Sequence, residues 1–290
     1  MVINKRILTL SLIFLCFVTN RTIACSRFTY TAADNMVITG RSMDWDEDIK
    51  TDLWAFPAGI ARKGDASSNA LQWISKYGSV IASGYNLGTA DGINSKGLTA
   101  NLLYLSTADY GEPQSNRKNL FVLNWAQYVL DNYSTVNETV NGLNNTQFNM
   151  IAPVLPNGAK ASLHLAVTDP SGDNAVFEYI DGKLIIHHGK EYKVMTNEPA
   201  YDKQLALTDY WKRLSGQFLP GTSEPDDRFV RANYYLSTAP NSSDEQQAVS
   251  IVFSIIRNVS APIGQNSAGK PNVAPTLWRC VDDLKPETYT

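Results

Sequence analysis

The stretch "ACSRFTYT" (residues 24–31) joins a short apolar leader to the first strand-like run of the chain. Two basic residues precede the apolar run "ILTLSLIFLCFV" (7–18), and small residues stand three positions and one position before Cys25. This order of charge, apolar run and small residues is typical of a secretory signal peptide. The run has 12 residues, too few for a membrane-spanning helix, which needs about 20. We therefore expect residues 1–24 to be removed during export, so that Cys25 becomes the first residue.

Four roles are open for Cys25 on the sequence alone. It could carry a lipid anchor, although Thr22 stands where a lipoprotein signal has leucine. It could form a disulfide with Cys280 in an oxidising compartment. It could act in a Cys–His enzyme with one of the three histidines, His164, His187 and His188. Finally, removal of the leader would give Cys25 a free α-amino group, whose pKa of about 8 suits it as the base for its own thiol.

The charge and size of the chain limit the function classes that fit. The whole chain has 25 basic and 28 acidic residues, and three of the basic residues lie in the leader. The remaining 266 residues therefore carry 22 basic and 28 acidic residues, a net charge of −6, and contain no basic run. This balance disfavours a nucleic-acid partner, and no second apolar run is long enough to span a membrane. A hydrophobic share of 43% supports one large domain over residues 25–290.

Strand-like and helix-like runs follow one another in groups. Alternation and turn residues predict strands at 26–31, 36–45, 78–86, 97–105, 162–169, 174–180, 183–189 and 191–197. Apolar spacing and helix-start signals predict helices at 118–132, from Thr135 onwards, at 199–214 and at 242–259. The segment "ADGINSKG" (90–97) is rich in turn residues. Because strands and helices do not alternate strictly, the pattern favours an α+β fold with packed antiparallel sheets. Strand-like sequence also continues into the last residues, so we expect the chain to be truncated within its final sheet.

Six sequence blocks, in order, resemble the choloylglycine hydrolase family, which includes bile salt hydrolases and penicillin V acylases. The blocks are "ACSRFTY", "GRSMDW", "DGINSKGLTANLLYL", "VMTNEPAYDKQL", "LPGTSEPDDRFVRANYY" and "PTLWRCVDDL". Any one of them is a weak signal, whereas six in order, from Cys25 to about Leu284, are specific. The leader resembles that of the Gram-negative members, in which removal of the signal exposes the nucleophile.

The resemblance implies an N-terminal nucleophile hydrolase that cleaves linear amides. Its fold is an αββα four-layer sandwich, with two antiparallel sheets between layers of helices. The family implies a small-molecule amide substrate, no cofactor and no metal. Its members are often tetramers, so a homotetramer is one assembly that the resemblance leaves open. We expect an exported enzyme, periplasmic or secreted. The alternative from another class is an exported binding protein that is lipid-anchored or disulfide-bonded.

Five residues match catalytic positions of the family. Cys25 matches the nucleophile, and its α-amino group matches the base. Arg41 matches an arginine beside the thiol, where a cation stabilises the thiolate. Asp44 matches the aspartate that orients the α-amino group, and Asn197 matches the oxyanion-hole asparagine. Arg228 matches the second arginine of the site. Without the family, the last three would be interpreted as two turn residues and a solvated charge at a helix start.

Two aromatic residues match the substrate-binding part of the family's site. Tyr104 falls where penicillin V acylases have tyrosine and bile salt hydrolases have asparagine. Trp45 matches an aromatic residue near the acyl pocket of the Gram-negative branch. Without the family, both are ordinary strand aromatics. Together they predict an apolar acyl group, such as phenoxyacetyl or the fatty acyl chain of an N-acyl homoserine lactone, with bile salts as the alternative substrates.

Overall fold

A computed structural model describes residues 25–145, 147–214, 218–264 and 274–285. The strands are, in chain order, β1 (Ser26–Thr31), β2 (Val37–Asp44), β3 (Leu53–Phe56), β4 (Ala61–Lys63), β5 (Gln72–Ile74), β6 (Ser79–Gly84), β7 (Gly88–Asn94), β8 (Thr99–Tyr104), β9 (Lys118–Phe121), β10 (Phe148–Ile151), β11 (Leu163–Thr168), β12 (Asn174–Ile180), β13 (Lys183–His188), β14 (Val194–Thr196) and β15 (Thr276–Asp283). The helices are α1 (Trp125–Asn132), α2 (Val136–Asn145), α3 (Tyr201–Arg213), α4 (Pro225–Thr238) and α5 (Glu245–Asn258).

Two antiparallel sheets lie face to face between helices. One has seven strands in the order β13-β12-β11-β8-β7-β6-β3, and the other has four in the order β14-β1-β2-β15. Helix α1 packs on β7 and β8 of the larger sheet, whereas α4 and α5 pack on the smaller sheet. The remaining strands form two separate two-stranded sheets, β9-β10 and β4-β5. The α+β class and the four-layer αββα arrangement predicted from the family are confirmed.

Charged side chains fill part of the space between the two sheets. Arg27 on β1 donates to Asn101 on β8 over 3.0 Å, and Arg41 on β2 donates to Asp91 on β7 over 3.4 Å. None of these four residues is more than 2% exposed. Buried charges are tolerated when they are paired and hydrogen-bonded, and breaking such a pair is strongly destabilising. These contacts therefore fix the β1–β2 hairpin, which follows Cys25, against the larger sheet.

Local sequence sets the start of two helices. Pro225 occupies the first turn of α4, where its fixed φ is favourable and its missing N–H is harmless. This start places Arg228 one turn into the helix. The helix start predicted at Thr135 is confirmed, because α2 begins at Val136 and the Thr135 hydroxyl accepts from the backbone N–H of Glu138 over 3.1 Å.

The helix predicted at 118–132 is wrong in its first half. Residues Lys118–Phe121 form β9, which pairs in parallel with β10, and α1 begins only at Trp125. A strand partner distant in sequence overrides the local helical spacing here.

No helix in the described part of the chain combines the length and the apolar character that crossing a membrane requires.

The segment 90–97, predicted as turn-rich, largely belongs to a strand. Strand β7 continues to Asn94, and the turn is confined to the residues between Asn94 and Leu98. Asp91 and Asn94 are buried within it because their side chains have partners on neighbouring elements. The other predicted strands and helices are present, with ends shifted by at most three residues. The predicted leader and the end of the chain, 286–290, lie outside the described residues.

Candidate active site

Cys25 lies immediately before β1 and is only 2% exposed. Because Ser26 pairs with Ser42 in the β1–β2 ladder, Cys25 is held beside the end of β2. Its Sγ lies 3.8 Å from Sδ of Met43 and 3.7 Å from the carbonyl oxygen of Asp44. The backbone register of one hairpin thus places the thiol next to two of the three residues that follow Arg41.

Asn197 connects the backbone of Cys25 to the end of β8. Its side chain is fully buried just after β14. Its Oδ1 accepts from the backbone nitrogen of Cys25 and from Nη2 of Arg228, the latter over 3.2 Å. Its Nδ2 donates to the carbonyl oxygen of Tyr104 over 2.8 Å. The amide nitrogen carries a second hydrogen, which a substrate oxyanion could accept.

Arg228 is fully buried beside Cys25. Its Nη1 donates to the carbonyl oxygen of Cys25 over 2.6 Å and lies 3.7 Å from Oδ2 of Asp44. The two oxygens of Asp44 also accept from Thr276 over 2.5 Å and from Ser42 over 3.3 Å. The interpretation of Arg228 as a solvated helix-start charge is therefore wrong, because buried acceptors surround its guanidinium. Its neighbour Arg231, in contrast, donates to the carbonyl oxygens of Pro220, Thr222 and Asn258.

The nitrogen of Cys25 is a peptide nitrogen while residue 24 is attached. It then has one hydrogen, and that hydrogen is donated to Asn197. An α-amino group carries more hydrogens, so a bond from this nitrogen to Asp44 stays a prediction for the chain that begins at Cys25. The backbone N–H of Tyr104 as second oxyanion donor also stays a prediction, since the bond seen from Asn197 uses the carbonyl of Tyr104.

Arg41 and the Cys25 thiol both contact the sulfur atom of Met43. Nη2 of Arg41 donates to the carbonyl oxygen of Leu102 over 3.0 Å and lies 3.7 Å from Sδ of Met43. Its Nη1 faces Asp91, and its guanidinium lies 4.8 Å above the ring of Trp278. Because the group is buried, its positive charge still acts on the nearby thiol through space.

Burial is the largest influence on the pKa values of this site. It raises the pKa of the Cys25 thiol, and the positive charges of Arg41 and Arg228 offset only part of that rise. Burial also raises the pKa of Asp44 to about 6, although Arg228 acts to lower it. A thiol with a raised pKa is a weak nucleophile near neutral pH unless a neighbouring base takes its proton. The site thus needs a base close to Cys25.

A mainly apolar pocket of about 70 Å³ opens beside the Cys25 thiol. Trp45 and Tyr104 form part of its wall and meet edge to face, with ring centroids 6.0 Å apart. Four leucines also line the pocket: Leu102, Leu123, Leu155 and Leu163. The structure therefore brings both predicted aromatic residues next to the predicted nucleophile.

The disulfide considered for Cys25 does not fit this fold. Both Cys25 and Cys280 are free thiols. Cys25 directly precedes β1 and Cys280 lies on β15, and these two strands flank β2 on opposite sides. Strands in a sheet lie about 4.8 Å apart, so the two Cα atoms are separated by about twice that distance, beyond the roughly 7 Å limit for a disulfide.

The histidines do not supply a base for Cys25. His164 is buried and pairs with Glu178 over 2.9 Å, and His188 pairs with Asp173 over 2.8 Å. His187 packs against tyrosine rings. Among the residues that the structure describes, no histidine contacts Cys25 or lines its pocket. The Cys–His interpretation therefore has no geometric support.

Sequence reasoning missed three residues that support the site. Asp91 lies in a segment whose residues are typical of a turn, yet it pairs with Arg41. Thr276 binds Asp44 from the distant strand β15, and Tyr85 lines the pocket from the turn after β6. Asp91 and Thr276 fall within the sequence blocks that resemble the family, and this position was the available signal.

One group of potential metal ligands stands close together in the described part of the chain. The ligand atoms of Asp91, Cys280 and Asp282 all lie within 4.8 Å of one another. Asp91 is bonded to Arg41 and Asn101, and the hydroxyl of Thr39 donates to Asp282 over 3.0 Å. These partners make the group part of the charged layer between the sheets.

We expect Asp282→Asn to change how stability depends on pH. Burial, together with the Asp91 carboxylate, raises the pKa of Asp282 from 3.8 to about 7. Between these values the folded chain keeps a proton that the unfolded chain has released, so the free energy of unfolding falls as pH rises. Asparagine does not ionise, so the variant should gain stability relative to wild type across this window. Urea midpoints of the variant and of wild type at several pH values measure this gain. If the difference between the two proteins does not change with pH, Asp282 is ionised in the folded chain and the prediction is wrong.

Comparison with known proteins agrees with this geometry. Residues 25–290 match the family described as linear amide C–N hydrolases, choloylglycine hydrolase family. The chain is 43% identical to a penicillin V acylase of Pectobacterium atrosepticum, over 99% of this chain and 83% of that protein. It is 26% identical to a bile salt hydrolase/transferase of Clostridium perfringens, over 81% of this chain and 79% of that protein.

Solved structures give the same result. The structure of a penicillin V acylase from Agrobacterium tumefaciens superposes with a TM-score of 0.84 at 48% identity, covering 90% of this chain and 80% of that one. A conjugated bile acid hydrolase from Clostridium perfringens shares the fold, with a TM-score of 0.76 at 23% identity over 90% of this chain and 86% of that one. The chain belongs to the choloylglycine hydrolase family of linear amide C–N hydrolases.

Proposed function

We propose that this hydrolase acts on amides with a compact apolar acyl group, and that phenoxyacetyl amides such as penicillin V are good substrates. The observation that carries the proposal is the apolar pocket beside the Cys25 thiol, with Trp45 and Tyr104 in its wall. Aromatic pairs contribute about 0.5–1.5 kcal/mol beyond area burial. Penicillin V acylases are also the relatives with 43% and 48% identity.

The proposed reaction uses Cys25 as both nucleophile and base. The α-amino group takes the thiol proton, and the thiolate attacks the amide carbonyl to form a tetrahedral intermediate. The amine then gives the proton to the leaving nitrogen, so the C–N bond breaks and a thioester remains. Water, deprotonated by the same amine, attacks the thioester and releases the acid, and the thiol is restored.

The neighbouring residues have proposed roles in this sequence. Nδ2 of Asn197, held by its bond to Tyr104, donates to the oxyanion of each tetrahedral intermediate. Asp44 orients the α-amino group, and Arg228 holds Asp44 by its charge. Arg41 favours the thiolate over the thiol. The burial of these groups supports the proposal, because electrostatic effects are stronger where water is excluded.

The reaction requires a free amine on Cys25, so the proposal includes removal of residues 1–24 and export of the enzyme. The sequence pattern of the leader supports export to the periplasm or the medium. A lipid anchor on Cys25 would block its thiol, which is the proposed nucleophile. Intact mass of the processed protein separates the two cases, since acyl chains add mass and a plain Cys25 terminus does not.

The substrate preference is tested by comparing kcat/KM for penicillin V, a long-chain N-acyl homoserine lactone and glycocholate. We expect penicillin V to exceed glycocholate by about tenfold or more, from the combined contacts of two aromatic rings. The acyl homoserine lactone is a second candidate substrate, favoured by the four leucines of the pocket. A preference for glycocholate would overturn the assignment of the acyl group and leave the family unchanged.

A further inference from the structure

Tyr85 has a backbone conformation that tyrosine rarely adopts. Tyr85 and Asn86 form the tight turn between β6 and β7, with φ angles of 54° and 53°. A bond from the nitrogen of Leu87 to the carbonyl oxygen of Gly84, 3.0 Å long, closes the turn. Two consecutive left-handed residues favour glycine, asparagine or aspartate. A bulky residue is strained there, and strain of this kind is concentrated at functional sites.

The side chain of Tyr85 binds the loop that follows β2. Nε1 of Trp45 donates to the Tyr85 hydroxyl over 2.7 Å, and this hydroxyl donates to the carboxylate of Glu47. The backbone nitrogen of Tyr85 donates to the carbonyl oxygen of Ile49 over 2.5 Å. An indole N–H can only donate and a carboxylate can only accept. A group that both accepts and donates, such as a hydroxyl, is therefore required to join Trp45 to Glu47.

This arrangement acts on the wall of the acyl pocket. Trp45 is only 5% exposed and leans edge to face on Tyr104, while Tyr85 and Ile49 line the same pocket. Without the Tyr85 hydroxyl, the indole N–H would lose its partner in mainly apolar surroundings, where an unpaired donor is costly. The ring would then turn away from its present position to find another acceptor.

We propose that Tyr85 is a positioning residue that holds the Trp45 indole in place and thereby sets the preference of the enzyme for flat aromatic acyl groups. The inference rests on the proposed function of the Cys25 site. Glu47 is part of the same hydrogen-bond chain. It accepts the Tyr85 O–H, so that a lone pair of the Tyr85 oxygen points to the indole N–H of Trp45. A straight aliphatic acyl chain depends less on the position of one ring, because it can bend to follow the wall.

Tyr85→Phe is the direct test, since it keeps the ring and the turn and removes only the hydroxyl. Two amides with the same leaving amine are compared, one phenoxyacetyl and one hexanoyl. We expect kcat/KM for the phenoxyacetyl amide to fall about fivefold, mainly through KM, and that for the hexanoyl amide to change less than about twofold. The ratio of the two kcat/KM values, phenoxyacetyl over hexanoyl, is the readout. In a Trp45→Phe background, which has no indole N–H, Tyr85→Phe should have no further effect on this ratio.

Glu47 provides a second route that leaves the core untouched, because it is exposed. Glu47→Ala removes the acceptor and should shift the ratio in the same direction, by about twofold. Glu47→Gln keeps a side-chain oxygen that can accept, so it should restore the wild-type ratio. Leu87→Ala, exposed on the same turn, is the matched control and should leave the ratio unchanged.

The outcomes distinguish a failure of the proposed function from a failure of the role proposed for Tyr85. If the wild-type enzyme hydrolyses neither amide, the proposed function fails. If the wild-type enzyme is active and both Tyr85→Phe and Glu47→Ala keep its ratio, the positioning role of Tyr85 is overturned. The role is also overturned if Tyr85→Phe lowers the ratio as much in the Trp45→Phe background as in wild type. Thermal unfolding of each variant checks that the fold is retained.

Discussion

Cys25→Ala is expected to lower kcat/KM below about a thousandth of the wild-type value while the protein stays folded. The thiol is the group proposed to form the covalent bond to the acyl carbon, and the apolar pocket opens beside it. Loss of Sγ removes only the contacts to Met43 and to the Asp44 carbonyl. The hydrogen bond from the Cys25 nitrogen to Asn197 uses the backbone and is kept.

Two companion variants make this result specific. Cys25→Ser keeps a nucleophilic atom in place but should lose most activity, because a hydroxyl is far harder to deprotonate near neutral pH. Cys280→Ala is the matched control: it removes the other free thiol of the described chain, which does not line the pocket. It should retain most of the wild-type activity. Circular dichroism and thermal unfolding accompany each assay. Activity of a few per cent or more in Cys25→Ala would reject the covalent mechanism.

The sequence predicted the fold well where the pattern is local. Strand alternation at 26–31 and 174–180 reproduces β1 and β12, because those residues alternate between the two faces of a sheet. The pattern failed where a distant partner decides the conformation. Residues 118–121 fall within a predicted helix, yet they pair with β10. The polar residues of 90–94 resemble a turn, yet their side chains find partners in the space between the sheets and on α1.

The candidate catalytic positions show the same limit. Asp44, Asn197 and Arg228 look like surface residues on the sequence, because charged and amide side chains are mostly exposed. They are fully buried here because they satisfy one another around Cys25. Only the resemblance to the family could bring them together in advance, since they come from three separate parts of the chain. Tyr85 matches no position carried over from the family, and its role emerges only from its φ angle and its hydrogen bonds.

A chain that keeps even one residue before Cys25 is expected to lose about 10²–10⁴-fold in kcat/KM, the usual contribution of a general base. The thiol would remain in place, but its neighbour would be a peptide nitrogen, which has no basic lone pair. Burial raises the pKa of the thiol, and no histidine of the described chain lines the pocket beside it. Removal of the leader is thus expected to switch the enzyme on.

The comparison needs three proteins that differ only at the N-terminus: one that begins at Cys25, one with a single glycine before Cys25, and the full chain with its leader. Turnover is measured for each, with intact mass before and after the assay to detect self-cleavage. The rate of thiol alkylation by iodoacetamide across pH reports the thiolate directly. We expect the alkylation rate of the glycine-extended form to rise only at higher pH, since the thiol has lost its base. Equal turnover by all three forms, with unchanged masses, would show that another group accepts the thiol proton, and the α-amino mechanism would have to be abandoned.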